Sequence, residues 1–67
     1  MKINLVFLDS FDTEFKGNNY KIFRFLDPQS LNILSGTNLK DTYEQYKTYN
    51  CIVEFKNNKL KVVSTQQ

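Results

Sequence analysis

The sequence predicts a small, mostly β domain with the element order β-β-β-α-β-β, and three observations predict it. Runs rich in aromatic and β-branched residues recur at strand length along the chain. Turn formers separate them at Gly17-Asn18-Asn19, Asp27-Pro28 and Asn57-Asn58. Between Thr37 and Asn50 the apolar period changes once, from two residues to roughly 3.6. With 67 residues the chain is expected to form one domain spanning 1–67. A core of that size leaves a net stability of only about 3–5 kcal/mol.

The elements follow in order. Lys2 to Leu8 is nearly continuous in apolar residues and reads as a first strand, with Asp9-Ser10-Phe11-Asp12 bending or bulging it before Phe15-Lys16. Gly17-Asn18-Asn19 is expected to turn the chain, because Gly and Asn tolerate positive φ. Tyr20 to Leu26 is the best-defined strand, and Asp27-Pro28 ends it because proline cannot donate to a ladder. Leu31 to Ser35 supplies a third strand that stops at Gly36. From Thr37 to Asn50, Leu39, Tyr43 and Tyr46 fall at i, i+4 and i+7, which predicts a short helix with Tyr43 and Tyr46 packed beneath the sheet. Cys51 to Lys56 and Lys59 to Ser64 close the chain as a hairpin on Asn57-Asn58. Phe7, Phe11, Phe15 and Phe55 are expected in the core, and Cys51 is expected as a small buried apolar residue.

Composition excludes several classes of chemistry. The chain has no histidine, the commonest general base and zinc ligand, and its single cysteine can form neither a zinc ribbon nor an internal disulfide. Two glycines cannot build a phosphate-binding loop. Asp9, Asp12 and Glu14 are close together but lack the spacing and glycine of a calcium loop. The expectation is a binding protein, not an enzyme, with no cofactor and no metal. The apolar run Ile3–Leu8 is interrupted by Asp9 well short of a membrane span or leader core, so a reducing, cytoplasmic setting is expected.

Three meandering strands, a helix and a closing hairpin resemble an OB-fold, the small five-stranded Greek-key barrel. The segment Tyr-Lys-Ile-Phe-Arg-Phe-Leu-Asp-Pro-Gln-Ser-Leu-Asn-Ile-Leu-Ser-Gly-Thr, Tyr20 to Thr37, resembles the second and third strands of small OB-fold single-stranded-DNA-binding proteins of Gram-positive phages and conjugative elements. The resemblance implies a sequence-tolerant single-stranded nucleic-acid binding module of a mobile element. The short hairpin loops imply a shallow site, so the module would act as a homo-oligomer or in several copies along a strand.

Charge is unevenly distributed within a net of +2. Residues 16–26 and 47–67 each carry +3, whereas 1–15 and 27–46 each carry −2. In an OB barrel the two basic blocks approach one another on the binding side, which nominates Lys16, Tyr20, Lys21, Arg24, Lys56, Lys59 and Lys61 as nucleic-acid-binding residues, with Lys and Arg tracking phosphates and Tyr20 stacking on a base. Phe23 and Phe25 are expected inward and Tyr20 and Arg24 outward. The alternative for the lysines is a solvated edge that blocks strand-to-strand association. A second function class stays open: a phage or plasmid protein-interaction module that docks through a sheet edge or aromatic patch, with the acidic 9–14 bend as its contact.

Overall fold

The computed structural model describes residues 1–66. They form five strands of one sheet: β1 (Lys2–Phe15), β2 (Asn18–Leu26), β3 (Ile33–Thr37), β4 (Thr48–Lys56) and β5 (Lys59–Gln66). The mostly β reading and the five strands hold. The strands are hydrogen-bonded in the order β1-β2-β3-β5-β4 and close as a barrel, because β1 also pairs with β4. All ladders are antiparallel except β3 with β5, which is parallel and consists of one residue pair, Ser35 with Lys61.

β1 serves two neighbours. Its first part, Lys2 to Val6, pairs with β4, and from Val6 to Phe15 it pairs with β2. The register slips between Phe7 and Asp9, so Leu8 is the extra residue of a bulge. Ahead of the bulge, Leu5 and Phe7 point inward and are buried. Beyond it the phase inverts: Ser10 stands opposite buried Phe23, and Asp9 opposite Arg24 on the outer face.

That inversion corrects the expected core. Phe11 and Phe15 would have faced inward in an unbroken alternation from Phe7, but they are exposed, at 48% and 63%. Phe55 is also exposed, at 67%, for a different reason. It keeps the inward phase of Val53 but lies beyond the end of β1, whose first residue pairs with Ile52, so nothing covers it. Phe7, Phe23, Phe25 and Cys51 are buried as expected, with Leu5, Leu34, Tyr49, Val53 and Val62.

The expected helix over Thr37–Asn50 is absent. Thr37 ends β3, residues 48–50 begin β4, and the intervening stretch is an irregular loop. Several of its polar groups bond to the barrel, and no run of helical bonds forms. The Asn38 amide donates to the Lys21 carbonyl while the Lys21 amide donates to Asn38 Oδ1, both at 2.9 Å. The Tyr46 amide donates to the Phe7 carbonyl at 2.7 Å, and the Glu44 amide to the Tyr49 hydroxyl at 2.7 Å. Asn38 and Tyr46 both take positive φ, which a helix does not accommodate. Tyr43 still reaches the core: its ring meets Phe7, Phe23, Phe25 and Tyr49 with centroids 5.0–5.5 Å apart, and its hydroxyl hydrogen-bonds Thr65 at 2.7 Å. Tyr46 does not, and is exposed.

Smaller boundaries also move. The third strand runs Ile33–Thr37 in place of Leu31–Ser35, because Leu31 takes φ 61° within the turn and Gly36 lies inside the strand. The first hairpin turns at Lys16-Gly17, with φ of 52° and 79°, one residue before the expected Gly17-Asn18-Asn19. The Asn57-Asn58 turn forms as expected, with φ of 51° and 63°, the left-handed pair that a two-residue hairpin of right-handed twist requires.

Candidate nucleic-acid interface

The outer face of β1, β2 and β3 carries a set of side chains arranged in cross-strand rows. One row is Phe11, Ile22 and Thr37. The next is Asp9, Arg24 and Ser35, continuing across the β3–β5 seam to Lys61. A third is Val6, Leu26 and Ile33. Beyond the first row, toward the hairpin turn, Tyr20 stands opposite Thr13, and Phe15 opposite Asn18. Directly opposed residues share a face, so Phe11, Phe15, Tyr20 and Ile22 make one apolar and aromatic surface on the outside of the sheet, and Ile33 lies on the same face beyond the Asp9–Arg24 row. Phe11, Phe15 and Ile33 are exposed there, while Tyr20 and Ile22 are half-buried.

Both hairpins extend past the barrel as two-stranded ribbons. The first comprises the part of β1 and β2 between Asp12 and Lys21, where each strand pairs only with the other. The second is the Phe55–Leu60 tip of β4 and β5. The turns are short, but the ribbons give the site walls that loop length alone did not suggest. Because β1 and β4 are antiparallel, the tips lie at opposite ends of the barrel, one at the end of β1 and the other near its start. The lysines of the two tips therefore bracket the outer face, and the two basic blocks meet only in the row of Arg24 and Lys61.

The nominated residues divide accordingly. Tyr20 and Arg24 lie on the outer face, and Lys61 is in the row of Arg24 across the seam. Lys16 sits at the tip of the first ribbon with its Nζ 5.4 Å from the Phe15 ring centre, a cation–π distance. Lys56 and Lys59 are directly opposite one another on the second ribbon, outward like Lys61. Lys21 is set apart: it has the opposite phase to Tyr20, and its Nζ lies 5.9 Å from the Phe23 ring, beside a surface depression lined by Ser10, Leu39 and Tyr43.

Arg24 is not a free cation. Its Nε and Nη2 donate to the two carboxylate oxygens of Asp9 at 2.7 and 2.6 Å, a bidentate fork. The Arg24 guanidinium holds the Asp9 carboxyl below its ordinary value, by hydrogen bonding first and charge second. The fork keeps the guanidinium fixed between the Phe11 and Leu26 rows, where a planar group can stack.

Sequence reasoning missed Phe11, Phe15, Ile33 and the role of Asp9. A signal for the phenylalanines was present: between Ser10 and Asn19 they are the only two apolar side chains, a composition that fits a solvated ribbon better than a core strand. The sequence matches no protein-family model and no curated protein. Among the described residues no helix is long and apolar enough to cross a membrane.

Proposed function

We propose that the outer face of β1, β2 and β3 binds single-stranded nucleic acid, DNA first, in a sequence-tolerant manner, and that the barrel is an OB-fold. The strand order supports the fold assignment, since an OB-fold presents its second and third strands as the binding face and flanks it with the first and last hairpins. The observation that carries the function is the exposure of Phe11 and Phe15 beside Tyr20, with Lys16 at one end of the face and Lys61, Lys59 and Lys56 at the other. Aromatic rings accept any base by stacking, at about 1–3 kcal/mol per base, while lysines follow the phosphates without reading sequence.

Fluorescence anisotropy with labelled oligo-dT at low and moderate salt tests this reading. Saturable binding that weakens with salt is expected. Phe11→Ala and Phe15→Ala should each weaken it by about 1–3 kcal/mol. Because both rings are exposed, these substitutions leave the core intact, so the loss is a loss of contact and not of fold. Absence of saturable binding at low salt overturns the proposal.

A further inference from the structure

The two ribbons each carry a strand edge unpaired on one side, and the two edges are chemically complementary. β1 pairs with β4 only as far as Val6, so from Asp9 to Phe15 one of its edges is free among the described residues. Along that edge run Asp12, Thr13, Glu14 and Phe15, all exposed. The cross-strand neighbour of Asp12 is Lys21, whose Nζ is turned over the Phe23 ring. On β5, the edge facing β3 is paired at Lys61 alone, so Lys59 and Leu60 have no ladder partner there and form one wall of a surface cleft whose other wall includes Ile33 and Leu34. Lys59 stands directly opposite Lys56, and like charges in that position repel. Lys61 stands opposite Glu54 without a salt bridge, and among the described residues none of these lysines has a carboxylate partner.

The spacings match as well as the signs. Asp12 and Glu14 are two residues apart, as are Lys59 and Lys61, so each pair lies on one face of its ribbon. An antiparallel approach sets Glu14 against Lys59 and Thr13 against exposed Leu60 on the unpaired edge, and Asp12 then meets Lys61 through its side chain alone, because the Lys61 backbone edge is taken by Ser35. Like-with-like pairing is disfavoured, since two β1 edges would oppose carboxylates and two β5 edges would oppose lysines.

We propose that the acidic β1 edge of one copy adds to the basic β5 edge of the next, building a head-to-tail assembly of this chain. The two edges lie at opposite ends of the barrel, so the contact is heterologous and an assembly of any length keeps one free edge of each kind. Assembly then grows by addition and does not stop at a two-fold dimer. This inference goes beyond the nucleic-acid reading and stands without it, because the contact involves protein alone.

Sedimentation velocity without nucleic acid, over a range of protein concentrations and at two salt concentrations, tests it. The sedimentation coefficient should rise with concentration at low salt and fall to the monomer value when salt is raised. Lys59→Glu with Lys61→Glu should give a monomer, and so should Asp12→Lys with Glu14→Lys; an equimolar mixture of the two variants should associate again, since each edge then meets its opposite. The milder pair Asp12→Asn with Glu14→Gln should weaken association, and circular dichroism checks that each variant is folded. A monomer at every concentration, association indifferent to the reversals, or a mixture that stays monomeric would each overturn the proposal. Oligo-dT binding by the parent protein at a concentration where it sediments as a monomer reports separately on the nucleic-acid reading, because that reading needs no second copy.

Discussion

At the scale of single residues, the Asp9–Arg24 fork sets the electrostatics of the outer face. Both side chains are about two-fifths exposed, at 42% and 41%, so the pair is screened by solvent and its value lies in orientation more than in stability. A carboxyl held below its ordinary value favours the folded state above the unfolded pKa, and that contribution disappears as pH falls through the lowered, folded value. Carboxyl-detected NMR should therefore place the Asp9 titration at a lower pH than a free aspartate, and Arg24→Gln should return it to the ordinary range. An unchanged midpoint in that variant would remove Arg24 as the cause. The same fork cancels the charge of the one arginine in the chain. Asp9→Asn keeps a hydrogen-bond acceptor but frees the guanidinium for phosphate. Under the nucleic-acid proposal this substitution should tighten oligo-dT binding at low salt and steepen its salt dependence by about 0.7 in log–log slope, the increment for one additional phosphate contact on a single strand. An unaltered slope would mean that Arg24 faces no phosphate.

At the scale of elements, a one-residue bulge and a one-pair seam decide what the face looks like. Strand existence was legible from aromatic and β-branched runs, and the Asn57-Asn58 turn from residue type, because both depend on local sterics. The phase of β1 beyond Leu8 was not. A bend or bulge is expected at Asp9-Ser10-Phe11-Asp12, and the register slips just ahead of it at Leu8, but the resulting change of phase depends on how β1 leaves β4 to follow β2, a tertiary requirement that the spacing of Phe7, Phe11 and Phe15 does not show. The loop after β3 misled for a related reason. Leu39 and Tyr43 are partly buried at helical spacing, yet Tyr43 reaches the core from an extended strap anchored on Lys21 and Phe7 carbonyls. Gly36 marks the seam, where an added Cβ would fall 2.7 Å from the Val62 carbonyl oxygen and 3.2 Å from the Val62 Cβ. The backbone of β5 cannot withdraw like a flexible side chain. Gly36→Ala should therefore push β5 from β3 and cost about 1–3 kcal/mol in urea unfolding, the usual range for forcing extra volume into a packed site. A variant as stable as the parent would show that the barrel opens at this seam without penalty.

At the scale of the whole molecule, the core is small and its polar perimeter is satisfied locally. Nine described residues are buried and apolar, and no buried side-chain polar atom among the described residues lacks a hydrogen-bond partner. A barrel with so few interior residues has little stability to lose, so any ligand that binds only the folded state should change its unfolding measurably. Cys51 offers the readout. Its side chain has 0% exposure, and burial pushes its thiol up to about 11, so the folded protein presents neither access nor thiolate near neutral pH. The sign is that of a neutral group favoured by folding: its contribution is complete below the unfolded thiol pKa and is lost as pH rises through the folded value. Alkylation at pH 8 should then proceed only through opening of the barrel, at a rate set by the open population when closing outpaces modification. Oligo-dT at a free concentration of about 100 times its Kd should stabilise the folded state by about 2.7 kcal/mol. The alkylation rate of Cys51 should fall by about the same hundredfold factor and recover at high salt. A rate unchanged by oligo-dT, in a protein that still protects Cys51, would separate a sound fold from an incorrect reading of its face.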